Sequence, residues 1–320
     1  MTARENPTVV VADPLAENGL SLLRQQATVV VAEDRAALQE RIAESDALVV
    51  RSRTKVTADL LERSERLKLV ARAGIGVDNI DVDAATARGV LVINAPLGNV
   101  LSTAEHTIAL IFALARRVVA ADRAVRDGVW KSGYEGMQIA GKELGVVGAG
   151  KVGRTVARLA SAVGMRVRAY DPYLPDKAFA DLGLQRAELD DLLRTSDVIT
   201  LHVPLSAETR YLLDDARIGS MKPGACVVNC ARGGLVHEEA LARALENGHL
   251  SGAALDVFEE EPLTGSPLLS APNVILTPHV AASTREAQAQ VSVDIAAGVL
   301  DFFAGKPAEY AINPTVLQKV

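Results

Sequence analysis

The chain has 320 residues, and at roughly 100–200 residues per domain that length points to two domains. Its 49% hydrophobic and 23% charged residues exclude a disordered or fibrous chain. A net charge of −6 argues against a binder of nucleic-acid backbone. The longest apolar stretch, 107–115, halts at Arg116-Arg117, well short of the roughly 18 residues that would span a membrane.

The polar N-terminus lacks the apolar centre of a secretion signal. Cys226 and Cys230 stand four apart in a strand-like run. Extended chain would separate them by about 13 Å, beyond the reach of a disulfide. Two thiols alone cannot complete a four-ligand zinc site. The expectation is a cytoplasmic protein with two inert, partly buried thiols and no bound metal.

In chain order, β-branched runs alternate with Ala/Leu-rich stretches. The first half predicts strands at 8–12, 28–32, 47–50, 69–72 and 90–93, with helices between them. The first helix is expected to begin after Asp13, with Pro14 in its first turn. A long helix should start near Ser102, where Ser102-Thr103-Ala104-Glu105 fits a capping box, and run to about Asp127. Gly128, Gly133, Gly136 and Gly141 mark a loop. A second alternating set predicts strands at 144–147, 166–170, 198–201, 225–229, 253–257 and 274–276. Their near-continuous apolar character fits strands covered on both faces. A last helix is predicted from near Thr284, with Ser283-Thr284-Arg285-Glu286 as a second capping box. Strand–helix alternation of this kind predicts an α/β fold of two doubly wound parallel-sheet domains.

The strand at 144–147 runs into Gly148-Ala149-Gly150-Lys151-Val152-Gly153 and then a helical stretch. In such a loop Gly148 permits the tight turn, Gly150 lets backbone approach a pyrophosphate, and Gly153 lets helix and strand pack closely. The helix N-terminus offers N–H groups and a positive dipole end. Asp171 lies 18 residues beyond Gly153, near the expected offset for the carboxylate that accepts a ribose 2′-OH. Pro172 and Tyr173 follow it with no adjacent Arg to hold a 2′-phosphate. NAD is therefore expected as cofactor rather than NADP.

Three later segments carry chemistry: Asn229-Cys230-Ala231-Arg232-Gly233-Gly234, Asp256-Val257-Phe258-Glu259-Glu260-Glu261-Pro262, and Thr277-Pro278-His279. In doubly wound sheets, loops at the carboxyl ends of strands line the ligand crevice. An Arg, a carboxylate and a His are thus available at one rim. His106, His202, His237 and His249 are read as structural or surface residues. So are Glu259 and Glu260, as a solvated face.

With Val50-Arg51-Ser52-Arg53-Thr54-Lys55-Val56-Thr57, Arg72-Ala73-Gly74-Ile75-Gly76-Val77-Asp78-Asn79 and Asn94-Ala95-Pro96-Leu97-Gly98-Asn99, these segments resemble the D-isomer-specific 2-hydroxyacid dehydrogenases. The resemblance spans essentially the whole chain. It is strongest to members that oxidise D-3-phosphoglycerate. It implies Arg232, Glu261 and His279 as catalytic residues. His279 exchanges the hydroxyl proton while a hydride passes between C2 and the nicotinamide. Glu261 orients the imidazole and stabilises its charged form. Arg232 presents its fork of donors to the substrate carboxylate and carbonyl.

Cofactor contacts are implied at Gly148, Gly150, Lys151, Val152, Gly153, Asp171, Val203, Cys230, Ala231, Asp256 and Ala281. Substrate contacts are implied at Arg51, Arg72, Gly74, Ile75, Gly76 and Asn99. Arg51 is assigned to the substrate phosphate. Arg51, Arg53 and Lys55 alternate and would share one side of extended chain. Trp130 is followed by Lys131, where the family often carries an Arg that supports phosphate binding. A small-molecule substrate and a homodimer are implied; nucleic-acid and membrane partners are not. The family pattern divides the chain into a discontinuous flavodoxin-like substrate domain, 1–97 with 286–320, and an inserted NAD-binding Rossmann domain, 98–285. Fifteen residues follow Gly305, so no appended ligand-sensing domain is expected. The alternatives are a hydroxypyruvate/glyoxylate reductase, another D-2-hydroxyacid dehydrogenase, or an NADH-sensing binding protein like the corepressors that share this fold.

Overall fold

The computed structural model describes residues 6–130 and 133–318. It divides into two compact units, Met1–Asn99 with Ser283–Val320, and Val100–Ala282.

The first unit holds five parallel strands, β1 (Thr8–Val11), β2 (Thr28–Val31), β3 (Ala47–Val50), β4 (Leu69–Arg72) and β5 (Leu91–Asn94), in the order β2-β1-β3-β4-β5. This is the flavodoxin-like order, with its switch point between β1 and β3. Period-two alternation splits the strand side chains between two faces. Val9, Val11, Val49 and Leu69 pack with Val291, Ile295 and Val299 of the closing helix Arg285–Phe303. Val10, Leu48, Val50 and Val70 pack with Leu38, Leu60 and Leu61 on the other face. Fully burying each such side chain contributes about 1.5–3 kcal/mol. The chain returns after the closing helix to the β5 edge. There Asn313 accepts from the Val92 amide at 2.7 Å and donates to the Val90 carbonyl at 3.0 Å.

The second unit holds seven parallel strands, β6 (Glu143–Val147), β7 (Arg166–Tyr170), β8 (Gln185–Arg186), β9 (Val198–Leu201), β10 (Cys226–Asn229), β11 (Gly252–Leu255) and β12 (Val274–Leu276). Their order is β12-β11-β10-β9-β6-β7-β8. Strand order reverses at the β6–β9 neighbour pair, the position at which Rossmann sheets bind dinucleotides. Both faces are covered, by Leu110, Ile111, Val156 and Ala160 on one side and Leu192, Leu193, Leu241 and Leu245 on the other. The α/β class and doubly wound parallel sheets expected from sequence are what the structure holds.

Several local expectations differ. The first helix begins at Glu17, capped by Ala16, because both Asp13 oxygens are committed elsewhere. Ser102 is buried inside a helix that already begins at Val100, so it does not start that helix. The helix ends at Ala115, and a second, Val118–Arg126, follows Arg117, whose φ of 52° breaks the helical path. The closing helix is capped one residue later than a Ser283 box would place it, with Thr284 accepting from the Ala287 amide at 3.1 Å. The two-residue β8 was not expected at all.

Candidate active site

The cofactor loop starts where β6 ends. Gly148 has φ of 93°, and a Cβ there would lie 2.6 Å from the His202 carbonyl oxygen and 2.8 Å from Val203 Cγ1. Val203 therefore packs directly beside the loop. A Cβ at Gly153 would sit 1.9 Å from the Gly148 carbonyl oxygen, so only glycine permits this approach of helix to strand. Gly150 caps the helix Lys151–Ala162, and a Cβ there would meet nothing within 4 Å. That open helix N-terminus fits a pyrophosphate. Lys151 is exposed at its first position and Val152 is half-buried. Asp171 follows β7. One of its oxygens accepts from the Ala149 amide at 3.0 Å and the other from the Tyr173 amide at 3.0 Å. The carboxylate is thereby held at the glycine loop. His202 is neutral: burial pushes its imidazole down to about 3.

The Arg232 loop follows β10. Asn229 shapes it, accepting from the Ala231 amide at 3.0 Å and donating to the Arg232 carbonyl at 2.8 Å. The Arg232 guanidinium donates to the Ala231 carbonyl at 2.6 Å. Cys226 and Cys230 are free, as expected, and more fully buried than the partial burial expected, and burial pushes the Cys230 thiol up to about 12.

Asp256 follows β11 and is wholly buried. It accepts from the Thr277 hydroxyl at 2.5 Å, the Val280 amide at 2.9 Å and the Ala281 amide at 2.8 Å. His106 Nε2 stands 3.6 Å away and meets the Thr277 hydroxyl at 3.2 Å. Burial alone would push the Asp256 carboxyl up. Hydrogen bonds from His106, Thr277 and the two amides outweigh it and hold the group below the usual carboxylate range.

The Asp256 clasp fixes the loop that carries His279. His279 itself has φ of 54°, an uncommon conformation for a non-glycine residue. Its Nδ1 meets Glu261 Oε2 at 2.7 Å, and Glu261 Oε1 accepts from the Phe258 amide at 3.1 Å. An ionised carboxylate only accepts, so Nδ1 carries the proton and Nε2 is turned to other partners. Burial would raise the Glu261 carboxyl, but the bond and charge of His279 together with the Phe258 amide lower it. Both side chains reach solvent, at 49% for His279 and 36% for Glu261.

In the first unit, Arg51 to Lys55 is a bend rather than extended chain, which overturns the alternating arrangement expected for Arg51, Arg53 and Lys55. Asp13 causes the bend. It accepts from the Arg51 amide at 2.5 Å and from the Thr54 hydroxyl at 2.9 Å. Asn79 ties the same loop by donating to the Arg51 and Thr54 carbonyls at 2.7 and 2.6 Å. The sequence reading missed Asp13 as a frame for this loop, although its place just past β1, at the switch point, was a usable signal.

Arg72 ends β4 and donates to the Ala73 carbonyl at 3.3 Å. Gly74 follows with φ of 149°. A Cβ there would lie 1.4 Å from Arg72 Nη1, so the side chain folds back over this glycine. The Ile75 carbonyl accepts from Asn94 at 2.6 Å, and Gly76 is half-buried beyond it. Asn99 is buried, and its Oδ1 accepts no hydrogen bond among the described residues. Lys131 lies outside the described residues. Among those residues no group of His, Cys, Asp and Glu could hold a metal ion. Nor is any helix among them long and apolar enough to cross a membrane.

Known proteins resemble this chain in sequence and fold. Residues 108–281 match the family model of the D-isomer specific 2-hydroxyacid dehydrogenase NAD binding domain. A D-3-phosphoglycerate dehydrogenase of Mycobacterium tuberculosis is 47% identical over 310 residues, covering 96% of this chain and 59% of that protein. The chain thus spans about three fifths of that relative's length. A solved structure from Thermus thermophilus superimposes with a TM-score of 0.85 at 35% identity, over 95% of this chain and 99% of that one. A D-lactate dehydrogenase of Aquifex aeolicus, complexed with NAD and lactic acid, gives a TM-score of 0.84 at 28% identity, over 95% and 99%. The chain belongs to the D-isomer-specific 2-hydroxyacid dehydrogenases.

Proposed function

We propose that this chain is an NAD-dependent dehydrogenase that oxidises D-3-phosphoglycerate to 3-phosphohydroxypyruvate, a step of serine biosynthesis. The observation that carries the reading is the 2.7 Å contact between His279 Nδ1 and Glu261, which leaves Nε2 to exchange a proton. Bound NAD supplies the acceptor for the hydride that leaves C2. His279 Nε2 takes the hydroxyl proton as the C2–O bond becomes a carbonyl, and returns it in the reverse direction. Glu261 fixes the tautomer and stabilises the imidazolium. Arg232 binds the substrate carboxylate and carbonyl.

The glycine loop and the helix N-terminus at Lys151 and Val152 are assigned to the pyrophosphate. Asp171 is assigned to the adenosine ribose, and Val203, Cys230, Ala231, Asp256 and Ala281 to the remainder of the cofactor site. Substrate recognition is assigned to Arg72, Gly74, Ile75, Gly76 and Asn99, with Arg51 on the phosphate. The unit Val100–Ala282 serves as the NAD-binding domain, the other as the substrate domain. The protein works in the cytoplasm as a homodimer. The dimer reading is supported by the exposed apolar side chains Leu101, Phe112, Val118, Val119 and Val125 on two consecutive helices, which a second copy would cover.

Steady-state kinetics with D-3-phosphoglycerate, glycerate, lactate, hydroxypyruvate and glyoxylate, each with NAD(H) and NADP(H), test the substrate and cofactor assignments together. Turnover of D-3-phosphoglycerate with NAD is expected to dominate. Efficient glyoxylate reduction with no turnover of the phosphorylated acid would refute the reading in favour of a glyoxylate reductase.

A further inference from the structure

Three glutamates follow one another after β11, and the pattern reads as a solvated face. Glu259 is exposed, as that reading expects, yet its backbone and both carboxylate oxygens are engaged. Its amide donates to Glu238 Oε1 at 2.7 Å, and its Oε1 accepts from the Glu238 amide at 3.0 Å. The two residues form a reciprocal clasp between the loop after β11 and the start of the helix Glu238–Glu246. Glu238 is buried, and its second oxygen accepts from the Ser266 hydroxyl at 2.5 Å. The second oxygen of Glu259 accepts from the Tyr211 hydroxyl at 2.8 Å.

Tyr211 has a second grip. Its amide donates to the Gly234 carbonyl at 2.7 Å, in the loop that carries Arg232. It achieves this with φ of 51°, a conformation costly for a bulky residue that is retained only where the surroundings fix it. The two loops also touch directly. A Cβ at Gly233 would lie 1.7 Å from the Phe258 carbonyl oxygen. Phe258 in turn donates its amide to Glu261. One short path therefore connects Tyr211, Glu259, Phe258 and Glu261, and another connects Tyr211 to the Arg232 loop.

We propose that Tyr211, Glu259 and Glu238 are positioning residues that hold the Arg232 loop and the Glu261 loop in one register, so that the Glu261 carboxylate is delivered to His279. The inference rests on the functional reading above. Arg210 donates to the Tyr211 hydroxyl at 3.1 Å and lies over its ring, and the His237 ring meets its edge at 4.7 Å. Glu259 thus faces Tyr211 and Glu238, and Glu261 faces His279. The Glu259 bond raises the Tyr211 phenol, which keeps it a donor across the physiological range.

The test compares Tyr211→Phe and Glu259→Gln with Glu261→Gln, His279→Ala and wild type, reading kcat, the pH profile of kcat/KM in the oxidation direction, and NADH affinity. Tyr211→Phe removes one hydroxyl and leaves the ring packing. Both positioning variants are expected to lose about tenfold in kcat while NADH affinity stays within twofold. A carboxylate held against imidazole favours its charged form, so a loosened Glu261 frees the base at lower pH. The acid limb is therefore expected to move toward lower pH, in the direction Glu261→Gln moves it and by less.

An acid limb left at the wild-type position in Tyr211→Phe and Glu259→Gln, with Glu261→Gln impaired, overturns the positioning role and leaves the functional reading intact. Full turnover in Glu261→Gln or His279→Ala overturns the functional reading and the positioning role with it.

Discussion

Both units place a carboxylate just beyond a strand and use it to bend a functional loop, but they finish the job differently. In the first unit Asp13 captures the Arg51 and Thr54 amides, and no hydrogen bond or ion pair reaches the Arg51 guanidinium among the described residues. In the second unit Asp256 captures the Val280 and Ala281 amides, and the side chain it presents, His279, is already paired with Glu261. One loop offers an uncommitted charge; the other offers a prealigned pair. On the proposed reading, the Arg51 cation meets a ligand's phosphate and gains from staying unpaired until the ligand arrives. A base meant for proton transfer gains from a tautomer fixed in advance.

Removing the prealigned base should have the largest effect. His279→Ala is expected to cut kcat by about 10²–10⁴-fold with NADH affinity retained, measured by steady-state rates and fluorescence titration. Retained turnover would erase the contrast. Asp256→Asn comes next. It presents an amide where three donors converge, so at least one buried donor loses its acceptor, and roughly 2–3 kcal/mol of folding stability should be lost in urea denaturation. Loss of turnover should accompany it, since the His279 loop loses its anchor.

Arg51→Ala should act more narrowly. KM for D-3-phosphoglycerate is expected to rise about tenfold or more, with glycerate kinetics and melting temperature unchanged. Equal losses for both substrates would show that the guanidinium is not reserved for phosphate.

The smallest effect is a pH dependence. Asp256 and Glu261 both titrate below the usual carboxylate range in the folded state. Their contribution to stability is therefore complete above the unfolded value, near about 4, and is lost as pH falls through the lower folded values. The urea midpoint should drop between about pH 5 and 3, and Asp256→Asn should flatten that drop.

Much of the architecture was legible because it is periodic. The valines of β1 and β3 alternate between two faces, and Gly148, Gly150 and Gly153 fall between a strand and a helix. The residues Arg232, Glu261 and His279 stood out because each follows a strand in a recognisable motif. What stayed hidden is what depends on distant partners. Asp13 looked like a helix cap, but its partners lie 38 and 41 residues away. Glu259 is exposed as expected, but its clasp stayed hidden because Glu238 lies 21 residues away and Tyr211 lies 48. Arg117 gave no warning of its left-handed turn, since no local signal marks a non-glycine residue for that conformation. Ser102 matched a cap motif inside a helix that had already begun, where burial overrode the local signal.

The most direct measurement follows the hydride itself. D-3-phosphoglycerate deuterated at C2 is incubated with NAD and the protein, and the reduced nucleotide is analysed by mass spectrometry and proton NMR. Deuterium transferred to the nicotinamide, with 3-phosphohydroxypyruvate formed in equal amount, is the expected result. No deuterated nucleotide from this substrate, under conditions where another 2-hydroxy acid is oxidised, would contradict it.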